Sequence, residues 1–199
     1  MYKVEIVKNI SKKEWNQNLT KSSYSTYYQT YEHIEGNEKS EYFPIFIQII
    51  NDEDEVVGQL GIQIVKTSIL YSSPLLRKFL KLISSVTTRG IWVYGPIIHV
   101  EDRKQRLEIL ENILNANNTI IEEYGLVVLE GFSPPLDDLI DKNYLKLFLD
   151  YGYKISKHVT YVTDLSNVLD EIWSKVQKYT KINVKRAINE SMQWFTSKT

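Results

Sequence analysis

The chain has 199 residues, which is enough for one substantial hydrophobic core or two small subdomains. Its 24 basic residues nearly balance its 25 acidic residues, and a net charge of −1 argues against a surface that wraps duplex nucleic acid. The chain has no cysteine, which excludes disulfides and thiolate chemistry, and its longest apolar run, residues 43–50, is too short to span a bilayer. We therefore expect a cytoplasmic protein without a membrane span, in which any site for a polyanion is local.

The first third of the chain predicts a strand, two helices and a hairpin. Apolar and polar residues alternate over residues 3–8, as in a half-buried strand. Ser11 and Glu14 have the spacing of a capping box, which predicts the start of a helix. A second helix fits residues 26–36, which end in glycine. Residues 42–66 contain two apolar runs on either side of a polar turn, so we expect a β-hairpin there.

The middle of the chain predicts two buried strands joined by a long helix. Before these strands, a helix with one apolar stripe fits residues 74–86. Residues 90–100 and 126–132 are apolar at nearly every position, which is typical of strands covered on both faces. Between these two runs, Asp102 can cap a helix and Gly125 can end it. Such a strand–helix–strand unit requires two parallel neighbouring strands.

The last third of the chain predicts a helix, a strand and a final helix. The first of these helices fits residues 135–153, the strand fits residues 154–166, and Ser166 or Asn167 can cap the final helix. The order of elements predicts the α/β class, with a mixed sheet covered by helices. We expect one compact domain over residues 1–165, followed by a C-terminal segment over residues 166–199.

A cluster of positive charge lies in the final helix. When residues 170–190 are wound as one α-helix, four lysines share a face opposite the apolar residues, and Arg186 lies at the margin of that face. The four are Lys175, Lys178, Lys181 and Lys185. No acid lies between Lys175 and Arg186, so no i,i+4 ion pair offsets the repulsion. The face would gain stability from a bound phosphate or carboxylate, and the alternative is an ordinary solvated polar face.

Four segments of the chain carry motifs that occur together in one protein family. The segment TYVTDLSNVLDEIWSKVQKYTKINVKRAINESMQWF (160–195) resembles the junction of Fem-type aminoacyltransferases. In that junction a Thr-Tyr…Asp-Leu-Ser strand leads to a helix with an Arg/Lys-x-Asn-Ile-Arg-Lys-Ala pattern, here residues 181–187. STYYQTYEH (25–33) is similar to the family's Phe-Gln-Ser/Thr-x-Glu-Trp helix, with His33 in place of Trp. VYGPIIHVED (93–102) looks like the family's Gly-Pro strand end, and the hairpin ending in VVGQLGI also fits.

The resemblance implies a fold and an activity. Fem-type proteins have two halves of GNAT-like acyltransferase architecture, each a mixed sheet with helices. Residues 1–165 would be one GNAT-like half, and residues 166–199 would be the junction helix and the start of a second half. These enzymes transfer an acyl or aminoacyl group from a carrier to an amine, typically on a peptidoglycan precursor that bears a diphosphate. The donor co-substrate would be aminoacyl-tRNA, which makes tRNA a partner, or acyl-CoA, and no tightly bound cofactor is implied.

The resemblance also implies which residues contact the anionic substrate. The family uses basic residues of the junction helix to hold the diphosphate. The matching positions are Lys181, Lys185 and Arg186, and Lys178 shares their face. Because the sequence stops soon after this helix, we expect either a single-half protein or a piece of a longer one. The competing hypothesis is a non-catalytic half-module that forms a homodimer or binds a partner in place of the missing half.

One acidic residue is a candidate for acid–base chemistry. Glu130 ends a strand that we expect to be buried, where desolvation would raise its pKa and suit it to deprotonate an amine. The alternative is an ordinary strand-end carboxylate in water. No metal site is expected, because His99 and Asp102 together offer at most two ligands and the other histidines are distant in sequence.

Four tyrosines form a candidate stacking surface. Tyr24, Tyr27, Tyr28 and Tyr31 follow the i, i+3, i+4, i+7 pattern, which would place them on one face of a helix. Such a face either lies in the core or forms a platform on which a sugar or base stacks, since tyrosine has a polar tip suited to a half-wet cleft.

Overall fold

The computed structural model describes residues 2–36, 42–66, 88–135, 137–158 and 169–189. The chain divides into two compact units, residues 1–156 and 157–199. Two predicted elements fall wholly or mainly outside the described residues: the helix over residues 74–86 and the strand over residues 154–166.

A six-stranded sheet forms the centre of the first unit in the described part of the chain. Its strands are β1 (Lys3–Val7), β2 (Tyr42–Ile50), β3 (Val56–Lys66), β4 (Thr88–Trp92), β5 (Ile97–Ile98) and β6 (Val128–Gly131). They are ordered β1-β2-β3-β4-β6, and β5 pairs with β3. All pairs are antiparallel except β4 and β6, which run parallel. The predicted α/β class with a mixed sheet is therefore confirmed.

Helices of both units are clear in the described residues. The first unit has α1 (Lys12–Leu19), a 3-10 turn (Tyr27–Gln29), α2 (Tyr31–Glu35), α3 (Arg103–Tyr124) and α4 (Lys142–Asp150), and the second has α5 (Leu169–Lys175) and α6 (Lys178–Asn189). No helix in this part of the chain combines the length and apolarity needed to cross a bilayer.

Three helix ends are formed by the residues that the sequence predicts. The Ser11 side chain accepts a hydrogen bond from the Glu14 backbone N at 3.3 Å and caps α1. The Asp102 carboxylate accepts from the backbone N of Gln105 at 2.9 Å and caps α3. Gly125 ends α3 in the left-handed conformation, with φ of 58°, which glycine adopts without a steric penalty.

The hairpin of β2 and β3 has the predicted position. Its register places Phe46 opposite Gly61 and Ile47 opposite Leu60. Asn51 shapes the turn, because its side-chain oxygen accepts hydrogen bonds from the backbone N of Glu55 at 2.8 Å and of Glu53 at 3.0 Å.

The predicted strand–helix–strand unit is also present. After β4 the chain passes through β5 and the long helix α3, and it returns in β6 alongside β4 with Trp92 opposite Gly131. A Cβ at residue 131 would lie 2.2 Å from the Trp92 ring, so glycine is what allows that indole to pack against the strand.

The sheet has a hydrophobic cluster on each face. Successive residues of a strand point to opposite faces, and accordingly Ile45 and Ile47 join one cluster while Phe46 joins the other. The larger cluster lies under α3 and α4 and includes Trp92. The smaller one lies under α1 and α2 and is centred on Trp15, whose ring packs edge to face on Phe46 with centroids 4.9 Å apart.

The predicted helix over residues 26–36 is interrupted. Thr30 has an extended backbone, so the segment splits into the 3-10 turn and α2. Each piece has its own threonine cap, because Thr26 accepts from the backbone N of Tyr28 and Thr30 accepts from that of His33. The expectation of one continuous helix is wrong for this reason.

Three other predictions in the first unit need correction. The strand expected over residues 90–100 is divided into β4 and β5, and Tyr94 between them has a φ of 54°. The helix expected over residues 135–153 begins only at Lys142, because Asp141 caps it by accepting from the backbone N of Asn143 at 2.9 Å. The strand expected to be buried on both faces, β6, is mostly exposed, and Val128 is among its exposed side chains.

Candidate functional site

The parallel strands β4 and β6 end at the same edge of the sheet, and an aromatic residue follows each of them. The backbone N of Gly95 donates to the carbonyl oxygen of Phe132 at 3.0 Å, and the Phe132 N donates to the Trp92 oxygen at 3.3 Å. These bonds hold the ring centroids of Tyr94 and Phe132 6.4 Å apart. The carboxyl edge of parallel strands is where α/β sheets generally bind ligands.

Tyr94 is held in an unusual backbone conformation. Its φ is 54°, and a cis peptide bond between Gly95 and Pro96 follows it. Its carbonyl oxygen accepts a hydrogen bond from the side-chain nitrogen of the buried Gln29. The Gln29 oxygen in turn accepts from the Thr26 hydroxyl at 2.8 Å. These hydrogen bonds connect the backbone of Tyr94 to the 3-10 turn.

Three further rings extend the aromatic surface from Tyr94. Tyr28 packs edge to face on Tyr94, with centroids 5.3 Å apart, and on His33 at 5.1 Å. Tyr27 packs on His33 at 5.5 Å. We call the set the aromatic patch, and its members are Tyr27, Tyr28, His33, Tyr94 and Phe132. Tyr27, Tyr28 and Phe132 are 65%, 44% and 42% exposed, so their ring surfaces can meet a planar or apolar ligand.

His33 is the member of the aromatic patch that can act as a base at neutral pH. Partial burial lowers its pKa below the ordinary value, so its imidazole is neutral at pH 7 and can accept a proton. Its position is fixed through the backbone, since the Gln63 side chain donates to the carbonyl oxygens of His33 at 2.6 Å and of Ile34 at 3.2 Å. The arrangement combines a neutral base with exposed aromatic rings.

The four tyrosines predicted to share a face do not do so. The Tyr24 hydroxyl donates to the Ile98 carbonyl at 2.7 Å and accepts from the Ile98 N at 2.9 Å, and burial raises its pKa. Tyr31 stacks on the core residue Phe46, with centroids 5.2 Å apart. Only Tyr27 and Tyr28 remain in the aromatic patch, because Tyr24 precedes the 3-10 turn and the interruption at Thr30 separates Tyr31 from that turn. The stacking role stays a prediction for that pair.

Glu130 lies in a different setting from the one predicted. Its carboxylate is half-exposed and forms an ion pair with Arg89 on the neighbouring strand at 2.6 Å. Burial was the reason to expect a base at this position, and β6 does not supply that burial. The role of Glu130 as a base stays a prediction without its original support.

A buried ion pair connects α3 to the loop that follows Phe132. The Arg106 side chain is 9% exposed and pairs with Asp137, which is 2% exposed, and with the exposed Asp138. Burial opposes the charge on Arg106, but hydrogen bonds with Asp138 and Asp137 outweigh that effect and raise its pKa. The guanidinium also reaches the Tyr24 hydroxyl at 3.5 Å. Arg106 thus joins α3 to two loops.

His99 is partly buried near the core residue Trp15, to which Gln59 connects it. Its Nε2 lies 3.0 Å from the Gln59 side-chain oxygen, and the Gln59 nitrogen donates to the Trp15 carbonyl at 3.4 Å. Burial, with a smaller contribution from the charge of Lys21, lowers the His99 pKa to about 4. The described residues contain no group of three or more His, Asp or Glu side chains that could hold a metal ion.

The predicted basic helix is two helices. α5 ends at Lys175 and α6 begins at Lys178, so the expectation of one helix over residues 170–190 is wrong. Lys175 pairs with Glu171, one turn earlier, at 3.2 Å. The Lys181 ammonium donates to the Ser174 carbonyl at 2.9 Å, at the carboxyl end of α5.

The remaining predicted anion contacts differ in their surroundings. Lys178 and Lys185 are exposed, and no acidic partner contacts them in the described part of the chain. The side chain of Arg186 lies outside the described residues. Among the described side chains of α6, Lys178 and Lys185 are therefore the exposed cations without an acidic contact.

No family model, curated protein or solved structure matches the chain. The similarity to Fem-type enzymes accordingly rests on the sequence motifs and stays a prediction.

Sequence reasoning missed three members of the aromatic patch as binding residues. Phe132 is the last residue of the predicted strand 126–132, and Tyr94 comes directly before the Gly95-Pro96 strand end inside the predicted run 90–100; the two strands were expected to be parallel neighbours. Parallel strands bring their carboxyl ends together, so this signal could have found both residues. For His33 the signal was its place in the motif of residues 25–33, where the family has Trp.

Proposed function

We propose that the chain is an acyl- or aminoacyltransferase domain related to the Fem-type enzymes, and that its substrate lies on the aromatic patch. The observation that carries this proposal is the position of the patch at the shared carboxyl edge of β4 and β6, the parallel pair of the described sheet. Contiguous exposed aromatic rings are typical of a binding site, because their apolar faces are stabilised by contact with a ligand and not by contact with water.

The positions of two sequence motifs support the same proposal. The segments 25–33 and 93–102 resemble Fem motifs independently of each other, and they meet in the structure where Tyr28 packs on Tyr94. Together they supply four of the five members of the aromatic patch. A meeting of this kind is what a shared substrate site would produce.

The proposed reaction is the transfer of an acyl group to an amine. The amine nitrogen attacks the carbonyl carbon of an ester, as in aminoacyl-tRNA, or of a thioester, as in acyl-CoA. The amine proton passes to the neutral imidazole of His33. The C–O or C–S bond then breaks, and the imidazolium returns that proton to the departing alkoxide or thiolate, so His33 is neutral again. Tyr27 and Tyr28 offer ring faces to a sugar or base of either substrate.

The second unit carries cations that could bind an anion. Lys181, Lys185 and Arg186 match the family's basic junction pattern in sequence, and Lys178 and Lys185 are exposed on α6. A diphosphate group would therefore find ammonium groups on this helix.

A transfer assay tests the proposal. We expect His33→Gln to lower turnover by about 10²-fold or more, because a general base contributes on that order, with little change in KM. Turnover of the unaltered protein should also fall as the pH drops below the ordinary histidine range, since only neutral His33 accepts the proton. Tyr28→Ala should mainly raise KM. The assay supplies labelled aminoacyl-tRNA or acyl-CoA with a diphosphate-bearing amine.

The matched control is His158→Gln, which removes an exposed histidine outside the first unit. It should leave turnover unchanged. Absence of transfer from both donors, or equal turnover in the His33 variant and its control, would contradict the proposal.

One observation favours a second function, that of a non-catalytic binding half-module. A cavity beside Tyr28 and Gln29 has a volume of about 10 Å³, which holds about one water molecule and no substrate group. This cavity therefore does not admit a ligand group, and a ligand of the aromatic patch would contact the exposed ring faces. Light scattering checks the related prediction of a homodimer: a dimer without transfer activity favours the half-module, and an active monomer excludes it.

A further inference from the structure

The exposed side of α6 carries an unusual mixture of side chains. At about 100° per residue, Lys178, Ile182 and Lys185 lie within about 60° of one another around the helix. Tyr179 lies next to them. Tyr179 is 74% exposed and Ile182 is 45% exposed, and both lysines are exposed as well. We call these four residues the α6 face.

The side of α6 that borders the α6 face packs within its own unit. Lys181, about 40° around the helix from Lys185, and Val184 are partly buried, and Lys181 lies 6.0 Å from the Trp173 ring of α5 while it donates to the Ser174 carbonyl. The α6 face is thus not needed to pack α6 against α5.

Electrostatics favour an anionic partner for the α6 face. The sequence has five cations and no acid between Glu171 and Glu190. The two of these cations on the α6 face, Lys178 and Lys185, have no acidic partner in the described part of the chain. The net charge of the chain is −1, yet α6 carries a local excess of positive charge.

We propose that the α6 face docks on the surface of a bilayer that contains anionic lipids. Lys178 and Lys185 would contact the lipid phosphates, and their long apolar stems allow the ammonium groups to stay at headgroup level. Ile182, between them, would enter the apolar boundary of the bilayer, and the Tyr179 ring would lie at the interface, where its hydroxyl stays hydrated.

Ile182 is what favours a bilayer over a nucleic acid. A single-stranded nucleic acid binds to cations interleaved with aromatic rings on which bases stack. A branched aliphatic side chain between two lysines offers neither a stacking plane nor a hydrogen bond, so it gains only from an apolar medium. Lysine stems, an aliphatic side chain and tyrosine together match the chemistry of an interfacial helix.

The proposal concerns the second unit and does not rest on the transferase reaction. Lipid binding and turnover are measured separately, so failure of one leaves the other standing. A soluble diphosphate would also contact Lys178 and Lys185, but it would not require Ile182.

Vesicle co-sedimentation of the full chain tests the proposal. We expect binding to vesicles of phosphatidylcholine mixed with phosphatidylglycerol, weak binding to pure phosphatidylcholine, and loss of binding as salt rises. The double variant Lys178→Glu/Lys185→Glu should abolish binding. Ile182→Asn keeps every charge and should weaken binding by about tenfold, because it removes the inserted apolar group.

The matched control is Lys104→Glu/Lys142→Glu, which makes the same charge change at exposed positions of the first unit. It should bind as the unaltered chain does, and circular dichroism should show unchanged helix content in all variants. Equal binding to both kinds of vesicle, no binding to either, or an Ile182→Asn variant that binds normally would overturn the proposal. Tighter binding to poly(U) RNA than to anionic vesicles would assign the α6 face to nucleic acid instead.

Discussion

Arg106 connects the two chain segments that lead into the aromatic patch. Tyr24, which its guanidinium reaches, comes just before the 3-10 turn that carries Tyr27 and Tyr28. Asp137, its buried partner, follows Phe132 by five residues. A single side chain therefore restrains loops that lie more than a hundred residues apart in sequence, and the geometry of the patch depends on it.

Arg106→Met should destabilise the protein strongly. The substitution keeps the apolar stem but leaves the carboxylate of Asp137 buried without its partner, which costs about 3–5 kcal/mol. Urea unfolding followed by circular dichroism measures the change.

The control for this variant is Arg103→Met on the same helix. Arg103 pairs with Asp141 in a half-exposed position, where ion pairs contribute about 0–1 kcal/mol. A small loss in both variants would mean that the Arg106 pair contributes no more than a surface pair does.

At the scale of elements, the features that local chemistry determines could be predicted from the sequence. Ser11, Asp102 and Gly125 act on their own backbone neighbours, and the caps at these residues form where the sequence predicts. The interruption at Thr30 was missed because Thr-Tyr-Tyr-Gln-Thr is compatible with a helix. The competing contact that helps hold the turn, from Gln29 to the Tyr94 carbonyl, spans 65 residues and leaves no local signal.

The helices α5 and α6 show that a long-range contact can also change the role of a charged residue. In sequence, Lys181 looks like one more member of a cationic face, yet in the structure it interacts with the carboxyl end of α5. A lysine is stabilised there by the partial negative charge of the last carbonyls. The predicted set of anion contacts therefore contains residues with different functions.

Lys181→Ala should loosen the end of α5, whereas Lys178→Ala should not. The lost interaction with the Ser174 carbonyl is worth about 0.3–1 kcal/mol, as for other cations at helix carboxyl ends. We expect faster hydrogen exchange of the α5 amides in the Lys181 variant, measured by nuclear magnetic resonance. Equal exchange in the two variants would show that Lys181 does not cap α5.

At the scale of the whole molecule, the aromatic patch illustrates what the sequence could not establish. Its rings come from three places in the chain, residues 27–33, Tyr94 and Phe132, and the parallel pairing of β4 and β6 brings the last two together. Apolar runs predicted the two strands, and the order strand–helix–strand predicted their parallel pairing. The contact of Tyr28 with Tyr94 depends on how α2 packs on β3, which no local pattern encodes.

His99 gives the stability of the first unit a pH dependence. Its folded pKa of about 4 lies below the ordinary value of 6.5 because partial burial removes water from the ring, with a smaller contribution from Lys21. Between these pH values the unfolded chain binds a proton that the folded chain does not bind. The contribution of His99 to the free energy of unfolding is therefore fully present above pH 6.5 and is lost as the pH falls towards 4. Since one pKa unit is worth about 1.4 kcal/mol, the loss at pH 4 is about 3 kcal/mol.

His99→Gln should flatten this dependence. Glutamine does not titrate and can still donate a hydrogen bond to Gln59, so its free energy of unfolding should change less between pH 7 and pH 5 than that of the unaltered chain. Urea unfolding at both pH values measures the difference. The other titrating groups, including His33, are common to both proteins and cancel in the comparison. The same acid-side slope in both proteins would show that His99 is already protonated in the folded chain, because its burial would then not exclude the proton.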